Sequence, residues 1–164
     1  MDFFENVVVE YLRADRSVFV NTQCCIQLNE GRNPDTSGPH WYCDAVAVDF
    51  RSRSVFLCEI TFAKPPTGLL KRLVGWHENW DGLLQALRRD CAIPADFPVR
   101  PWIFVPEALI STIVDALEKF KLSYSTAVPV PRITTLEMTS PWRYTSWNRV
   151  GEAAKPSSIP EYMR

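Results

Sequence analysis

Alternating apolar and polar positions predict several strands in the first two thirds of this chain. The segments 17–28, 41–50 and 54–62 are rich in β-branched and aromatic residues, and the polar segment 51–53 is short enough for a hairpin turn. A further apolar run over 100–105 predicts a fourth strand after a long interruption. These patterns indicate a meander of three strands that a later strand joins.

Apolar residues recur at helical spacing in three other segments. Residues 2–15 are predicted to form a helix that Asp2 caps, with Glu5 three residues later in a capping-box spacing. Residues 69–91 are predicted to form one long helix after a proline-rich break, and residues 107–120 a third helix. Helices therefore alternate with the predicted strands.

The order of these elements predicts one α/β (α+β) domain over residues 1–138. A meander followed by a helical crossover favours a mixed central sheet with helices on both faces. A loop is predicted over 29–39, and a last edge strand over 131–138. Residues 139–164 lack clear periodicity and are predicted to be an irregular C-terminal tail.

Composition agrees with a globular chain and gives no sign of a membrane protein. Of 164 residues, 46% are hydrophobic and 23% are charged, which is ordinary globular usage. No segment approaches the roughly 20 apolar residues that span a bilayer, and the N-terminal residues do not resemble a signal peptide. A net charge of −1 provides no overall basic field, which leaves only a local patch for contact with nucleic acid.

The cysteines point to a reducing compartment. There are five, an odd number; Cys24 and Cys25 are adjacent, and most of them fall within predicted apolar strands. Buried thiols in that pattern are typical of a cytoplasmic protein without disulfides. We therefore expect a cytoplasmic location and reduced cysteines.

Two acids lie in the interior of apolar strands, where a purely structural strand would carry none. Asp44 lies in the strand 41–50, and Glu59 lies in the strand 54–62. A buried carboxylate costs several kcal/mol unless it is compensated, and two on neighbouring strands also repel each other. A divalent cation is the usual remedy, so this pattern predicts a metal-dependent site for phosphate chemistry. The alternative is a structural ion pair, in which an arginine such as Arg72 or Arg100 compensates the acids.

The element order and the two acids together resemble the PD-(D/E)xK nuclease superfamily, which has a restriction-endonuclease-like fold. The core of that family runs αβββαβ, with an Asp on the second strand, matched by Asp44, and a Glu-x-Lys on the third, matched by Glu59-Ile60-Thr61. The resemblance implies that Asp44 and Glu59 hold Mg²⁺ (or Mn²⁺), while Glu5 on the first helix completes or orients the site. It also implies hydrolysis of a nucleic acid, with DNA as the favoured substrate and RNA as the alternative.

The chain departs from the family motif at Thr61, where the family places its catalytic lysine. That lysine stabilises charge on the phosphate, and a threonine cannot replace it electrostatically. Lys64, just beyond the strand, and Lys71, early in the next helix, are the candidates to supply the cation. Otherwise the chain is a catalytically inactive binding or assembly module, acting as a homodimer or with a protein partner.

The predicted tail contains a second pattern with two interpretations. Trp142-Arg143-Tyr144 and Trp147-Asn148-Arg149 interleave aromatic and cationic residues, as proteins that bind single strands do. The same residues can equally pack back against the sheet.

Overall fold

A computed structural model describes residues 2–27, 40–121 and 128–149 of the chain. It is an α+β structure in which helices flank a mixed sheet of five strands. The strands are β1 (Val18–Gln27), β2 (His40–Asp49), β3 (Ser54–Ile60), β4 (Val99–Val105) and β5 (Arg132–Thr135). The helices are α1 (Phe3–Leu12), α2 (Thr67–Glu78), α3 (Trp80–Asp90) and α4 (Ile110–Lys121). Short 3-10 helices lie at Glu107–Leu109, Leu136–Thr139 and Pro141–Arg143.

The strands lie side by side in the order β1-β2-β3-β4-β5. The first three are antiparallel, and β4 and β5 each run parallel to the preceding strand. The predicted meander, the later fourth strand and the mixed sheet are therefore confirmed, and the segment predicted as an edge strand forms the short strand β5. The loop predicted over 29–39 lies outside the described residues.

Each face of the sheet carries its own apolar layer. On one face, Leu57 and Ile103 pack in a layer with residues of α2, α3 and α4, of which Trp76 is almost completely buried. On the other face, Ala45 and Ala47 belong to the layer that includes Val8 of α1. Alternation of side chains along β2 and β3 separates the two layers, as the sequence pattern predicts.

The first helix begins as predicted and ends earlier. The backbone N–H of Glu5 donates to Asp2 Oδ1 at 2.9 Å, and the backbone N–H of Asp2 donates to Glu5 Oε2 at 3.1 Å. This reciprocal capping box satisfies two of the amides that a helix start leaves free. The helix ends at Leu12, whereas the sequence pattern predicts helix up to residue 15.

The prediction of one continuous helix over 69–91 is wrong, because the helix is interrupted at Asn79, between α2 and α3. The Asn79 backbone leaves the helical region at φ −120° and ψ 24°. Its side-chain Nδ2 also donates to the carbonyl of Gly75 at 2.9 Å. Asparagine competes with helical hydrogen bonds in this way, and apolar spacing alone does not reveal it.

The described part of the predicted tail packs back onto α1. Trp147 donates its backbone N–H to the Ala14 carbonyl at 3.3 Å and its indole N–H to the Arg13 carbonyl at 3.2 Å. The ring of Tyr144 meets Tyr11 edge to face, with centroids 5.1 Å apart. In the described part of the chain, no helix has both the length and the apolar character needed to cross a bilayer.

Candidate functional site

The two strand acids meet where the pairing between β2 and β3 ends. The last paired residues of the two strands are Ala45 and Cys58, so Asp44 and Glu59 occupy the next position on each strand. Asp44 Oδ2 accepts the backbone N–H of Ile60 at 2.7 Å. The Asp44 carboxylate therefore takes the place of a backbone acceptor, which holds it beside Glu59.

Glu59 is the more deeply buried acid, with 3% of its surface exposed. Its Oε2 accepts a hydrogen bond from Arg72 Nη1 at 2.6 Å. Its Oε1 is buried and has no hydrogen-bond partner at bonding distance in the described structure. Such an orphaned oxygen is costly and is a natural place for a water molecule or an ion.

Arg72 links the two acids through a single nitrogen. Its Nη1 also lies 3.7 Å from Asp44 Oδ1. Arg72 comes from α2, where Leu69, Leu73 and Trp76 pack the helix against the sheet. Because the helix is held by that layer, its arginine reaches down to the strand ends with a third of its side chain still exposed. The arrangement is a carboxylate pair that shares one cation.

The environment makes both carboxylates hard to ionise. Burial, and then the charge of Asp44, raise the pKa of Glu59 to about 8, despite the opposing effect of Arg72. Burial also raises the pKa of Asp44, against the hydrogen bond from Ile60 and the charge of Arg72. Burial lowers the pKa of Arg72, but its bond to Glu59 outweighs this and the net shift is upward. When both carboxylates are ionised, the single charge of Arg72 compensates only one of them.

Glu5 lies near this site but is engaged elsewhere. Its carboxylate belongs to the capping box of α1, and its charge, with that of Asp2, helps to raise the pKa of Asp44. Among the described residues, no three His, Cys, Asp or Glu side chains stand close enough together to hold a metal ion. Glu5 as a direct ligand therefore stays a prediction, whereas its electrostatic influence on Asp44 is a feature of the structure.

The structure places the two candidate lysines at the surface. Lys64 and Lys71 are both exposed, and neither forms an ion pair with another described residue. Thr61, which stands at the motif position of the lysine, accepts the backbone N–H of Ala63 through Oγ1 at 3.2 Å. The catalytic role of the lysines stays a prediction. The cation that does reach the acids is Arg72, which the sequence offers only as a structural partner.

The other possible structural partner, Arg100, is not at this site. Its Nε donates to the carbonyl of Val130 at 2.7 Å. Arg72 thus does form the expected ion pair, and its Nη1 lies closer to Glu59, at 2.6 Å, than to Asp44, at 3.7 Å. Position 72 has no motif spacing that would identify it, because its reach depends on how α2 lies across the sheet.

Comparisons of the chain with protein-family models, with curated proteins and with solved structures found no match. The site itself combines two adjacent carboxylates, an orphaned carboxylate oxygen and one guanidinium. Those groups can bind a hard divalent cation and an anionic oxygen side by side.

Proposed function

We propose that this protein is a metal-dependent nuclease of the PD-(D/E)xK type, which hydrolyses phosphodiester bonds of DNA or RNA. The supporting arrangement is an acid on the second strand and an acid on the third, with a helix before and a parallel strand after the meander. The observation that carries the proposal is Glu59 Oε1, a buried carboxylate oxygen without a partner, next to a second carboxylate of raised pKa.

The residues present fit Mg²⁺ or Mn²⁺. Magnesium is usually held by one or two carboxylates, with water and substrate phosphate oxygens completing six positions. Asp44 and Glu59 would hold the ion, and Glu5 would add to the negative potential around it. When bound, such an ion neutralises a phosphate oxygen and lowers the pKa of a coordinated water.

We assign to Arg72 the role of the catalytic lysine that this chain lacks at position 61. A guanidinium remains charged at any pH at which proteins work, and its planar donors match a phosphate group. From its position between the acids, Arg72 would turn one donor towards the phosphate and stabilise the negative charge that develops there. This role would replace that of the family lysine at Thr61.

The alternative function is an inactive binding or assembly module on the same fold. It is favoured by the hydrogen bond of 2.6 Å between Arg72 and Glu59, since that bond already compensates the more buried acid without any metal. A net charge of −1 is also low for a protein that binds nucleic acid through phosphate contacts.

Cleavage assays on plasmid DNA, single-stranded DNA and RNA with Mg²⁺ or Mn²⁺ test the proposal. We expect cleavage that Asp44→Asn, Glu59→Gln and Arg72→Gln each reduce by about 10²-fold or more, as loss of one oxyanion donor does elsewhere. Glu10→Gln is the matched control for the acids, because Glu10 is exposed on α1. Lys64→Ala and Lys71→Ala decide whether either lysine contributes. Absence of cleavage with every substrate and both ions contradicts the nuclease and leaves the binding module.

A further inference from the structure

A cleft of about 580 Å³ opens beside the C-terminal end of α1, and neither Asp44 nor Glu59 lines it. Its floor includes Phe56 and Trp102, which pack with the layer on the α1 face of the sheet. One wall is the segment 144–147, which closes back onto the helix. The cleft thus lies on the opposite face from Arg72, and its volume is that of a small-ligand site.

An arginine is held against the aromatic floor of this cleft. The guanidinium carbon of Arg132 lies 4.0 Å from the centre of the Trp102 ring. Trp102 is itself held, because its indole N–H donates to Thr134 Oγ1 at 2.9 Å and its ring stacks on Phe104 with centroids 4.9 Å apart. A cation is therefore presented at a defined place on the cleft surface.

A second pair of the same kind stands on the wall. The guanidinium carbon of Arg16 lies 5.0 Å from the centre of the Trp147 ring. Trp147 is 57% exposed, yet its backbone and its indole donate to the carbonyls of Ala14 and Arg13, just beyond the end of α1. A large aromatic ring that is fixed and still exposed is suited to stacking against a flat ligand.

The charges along the cleft favour an anion. Three arginines and two aspartates line it. The third arginine, Arg51, is paired with Asp15 at 3.0 Å, and hydrogen bonds from Ser17 help to lower the pKa of Asp15. Asp49 is held by Ser17 and Ser52. Arg16 and Arg132 each lie over an aromatic ring of the cleft.

We propose that this cleft binds a nucleobase joined to a phosphate, as in an unpaired nucleotide, either free or within a single strand. The base would stack on Trp147, and the phosphate would lie between Arg16 and Arg132. Arginine planes and aromatic rings are the groups with which proteins recognise unpaired bases. This site is separate from the acids on the other face, so it stands whether or not the protein cleaves phosphodiesters.

Calorimetric titration in the presence of EDTA tests the site without any metal-dependent reaction. The probes are the four nucleoside monophosphates, adenosine, inorganic phosphate and a short single-stranded oligonucleotide. We expect a nucleotide to bind more tightly than adenosine or phosphate alone. The monophosphates and the oligonucleotide distinguish a free ligand from a strand, and binding of either supports the site.

Variants on the cleft wall then locate the binding. Trp147→Ala and Arg16→Gln should each weaken binding by about tenfold, in line with the loss of one stacking or cation contact. Trp142→Ala and Arg13→Gln are the matched controls, because Trp142 is 69% exposed nearby and Arg13 lies near Arg16, but neither lines the cleft. If Trp147→Ala fails to fold, Trp147→Phe and Arg16→Gln carry the test.

Three results would overturn the proposal. The first is no binding of any probe at about 1 mM, which corresponds to an interaction weaker than about 4 kcal/mol. The second is equal loss of affinity in the control variants. The third is binding that survives Trp147→Ala and Arg16→Gln but disappears in Glu59→Gln, which would place the ligand at the acids instead.

Discussion

Arg72 Nη1 lies 2.6 Å from Glu59 Oε2, and this bond joins the second helix to the third strand at the candidate site. Only one of the two Glu59 oxygens is satisfied by it, because Oε1 remains buried without a partner. The ion pair therefore does not satisfy all the hydrogen-bonding atoms of the Glu59 carboxylate. It leaves one oxygen of Glu59 and the neighbouring Asp44 for another ligand.

Removal of the cation should destabilise the fold. Arg72→Met keeps the apolar stem but leaves Glu59 buried without its partner, and we expect a loss of roughly 1–3 kcal/mol in the free energy of unfolding. The loss is at the lower end of values for broken buried pairs, because Arg72 is a third exposed and Glu59 can take up a proton. Urea denaturation at neutral pH measures it.

The neighbouring Lys71 provides the control for that experiment. Lys71→Met changes an exposed cation on the same helix and should stay within about 0.5 kcal/mol of the unmodified protein. Combining Arg72→Met with Glu59→Gln should recover part of the loss, since the carboxylate that needed compensation is gone. Equal stability of Arg72→Met and the unmodified protein would show that the pair does not contribute.

Stability should fall as the pH rises from about 4.5 to about 8. The pKa of Glu59 is raised from 4.5 to about 8 by folding, so the folded state binds this proton more tightly than the unfolded state does. Its contribution is complete below pH 4.5 and is lost as the pH approaches 8. Urea midpoints across this range measure the slope, and Glu59→Gln should flatten it while Glu10→Gln does not. A slope unchanged in Glu59→Gln would contradict the raised pKa.

Metal affinity should depend on pH in the opposite direction. A divalent cation must displace the proton that Glu59 holds, so each unit by which the pH rises towards about 8 should tighten the binding of Mg²⁺ or Mn²⁺ by up to about tenfold. Calorimetric titration at several pH values measures this without any substrate. Glu59→Gln should abolish the binding. Affinity that is independent of pH in this range would place the ion elsewhere.

The buried cysteines should resist thiol reagents in the folded protein. Cys24, Cys43, Cys58 and Cys91 form no disulfide in the described structure, as the sequence predicts. Burial raises the pKa of the Cys58 thiol, which is completely buried, so we expect no labelling of Cys58 by a maleimide before unfolding. Mass spectrometry of the labelled peptides measures it.

The thiol count after unfolding gives the control for the labelling experiment. All five cysteines should react in denaturant without a reductant. Cys24 Sγ lies 3.9 Å from Cys91 Sγ, so these two thiols are close enough to form a disulfide if the protein is oxidised during preparation. A count of three in freshly prepared protein would contradict the expectation of reduced thiols.

The sequence predicts the strands better than the helix boundaries, for a physical reason. Alternation along residues 41–50 and 54–62 reflects a sheet that has one apolar layer on each face, so the pattern follows directly from burial. The apolar spacing of 69–91 continues across two helices, because both pack on the same face of the sheet. The break depends on a side-chain bond from Asn79 to Gly75, which periodicity does not encode.

The acids of the site are predictable, but their cation is not. Asp44 and Glu59 stand out because carboxylates are rare in apolar strands. Arg72 lies 13 residues after Glu59 on a separate helix, and only the packing of that helix brings the two side chains together. Lys64 and Lys71 are nearer to the motif, yet the structure leaves both at the surface. Nearness in sequence is thus a poor guide wherever a proline-rich break intervenes.

The origin of the three charged groups also sets the order in which they arise during synthesis. Both acids belong to the β2–β3 hairpin, whereas Arg72 belongs to the helix that follows it. An isolated two-stranded hairpin is marginally stable at best in water, so the two carboxylates are held together only when the domain folds as a unit. Docking of α2 supplies their counter-charge, so the bond between Arg72 and Glu59 couples the position of that helix to the ends of the two strands.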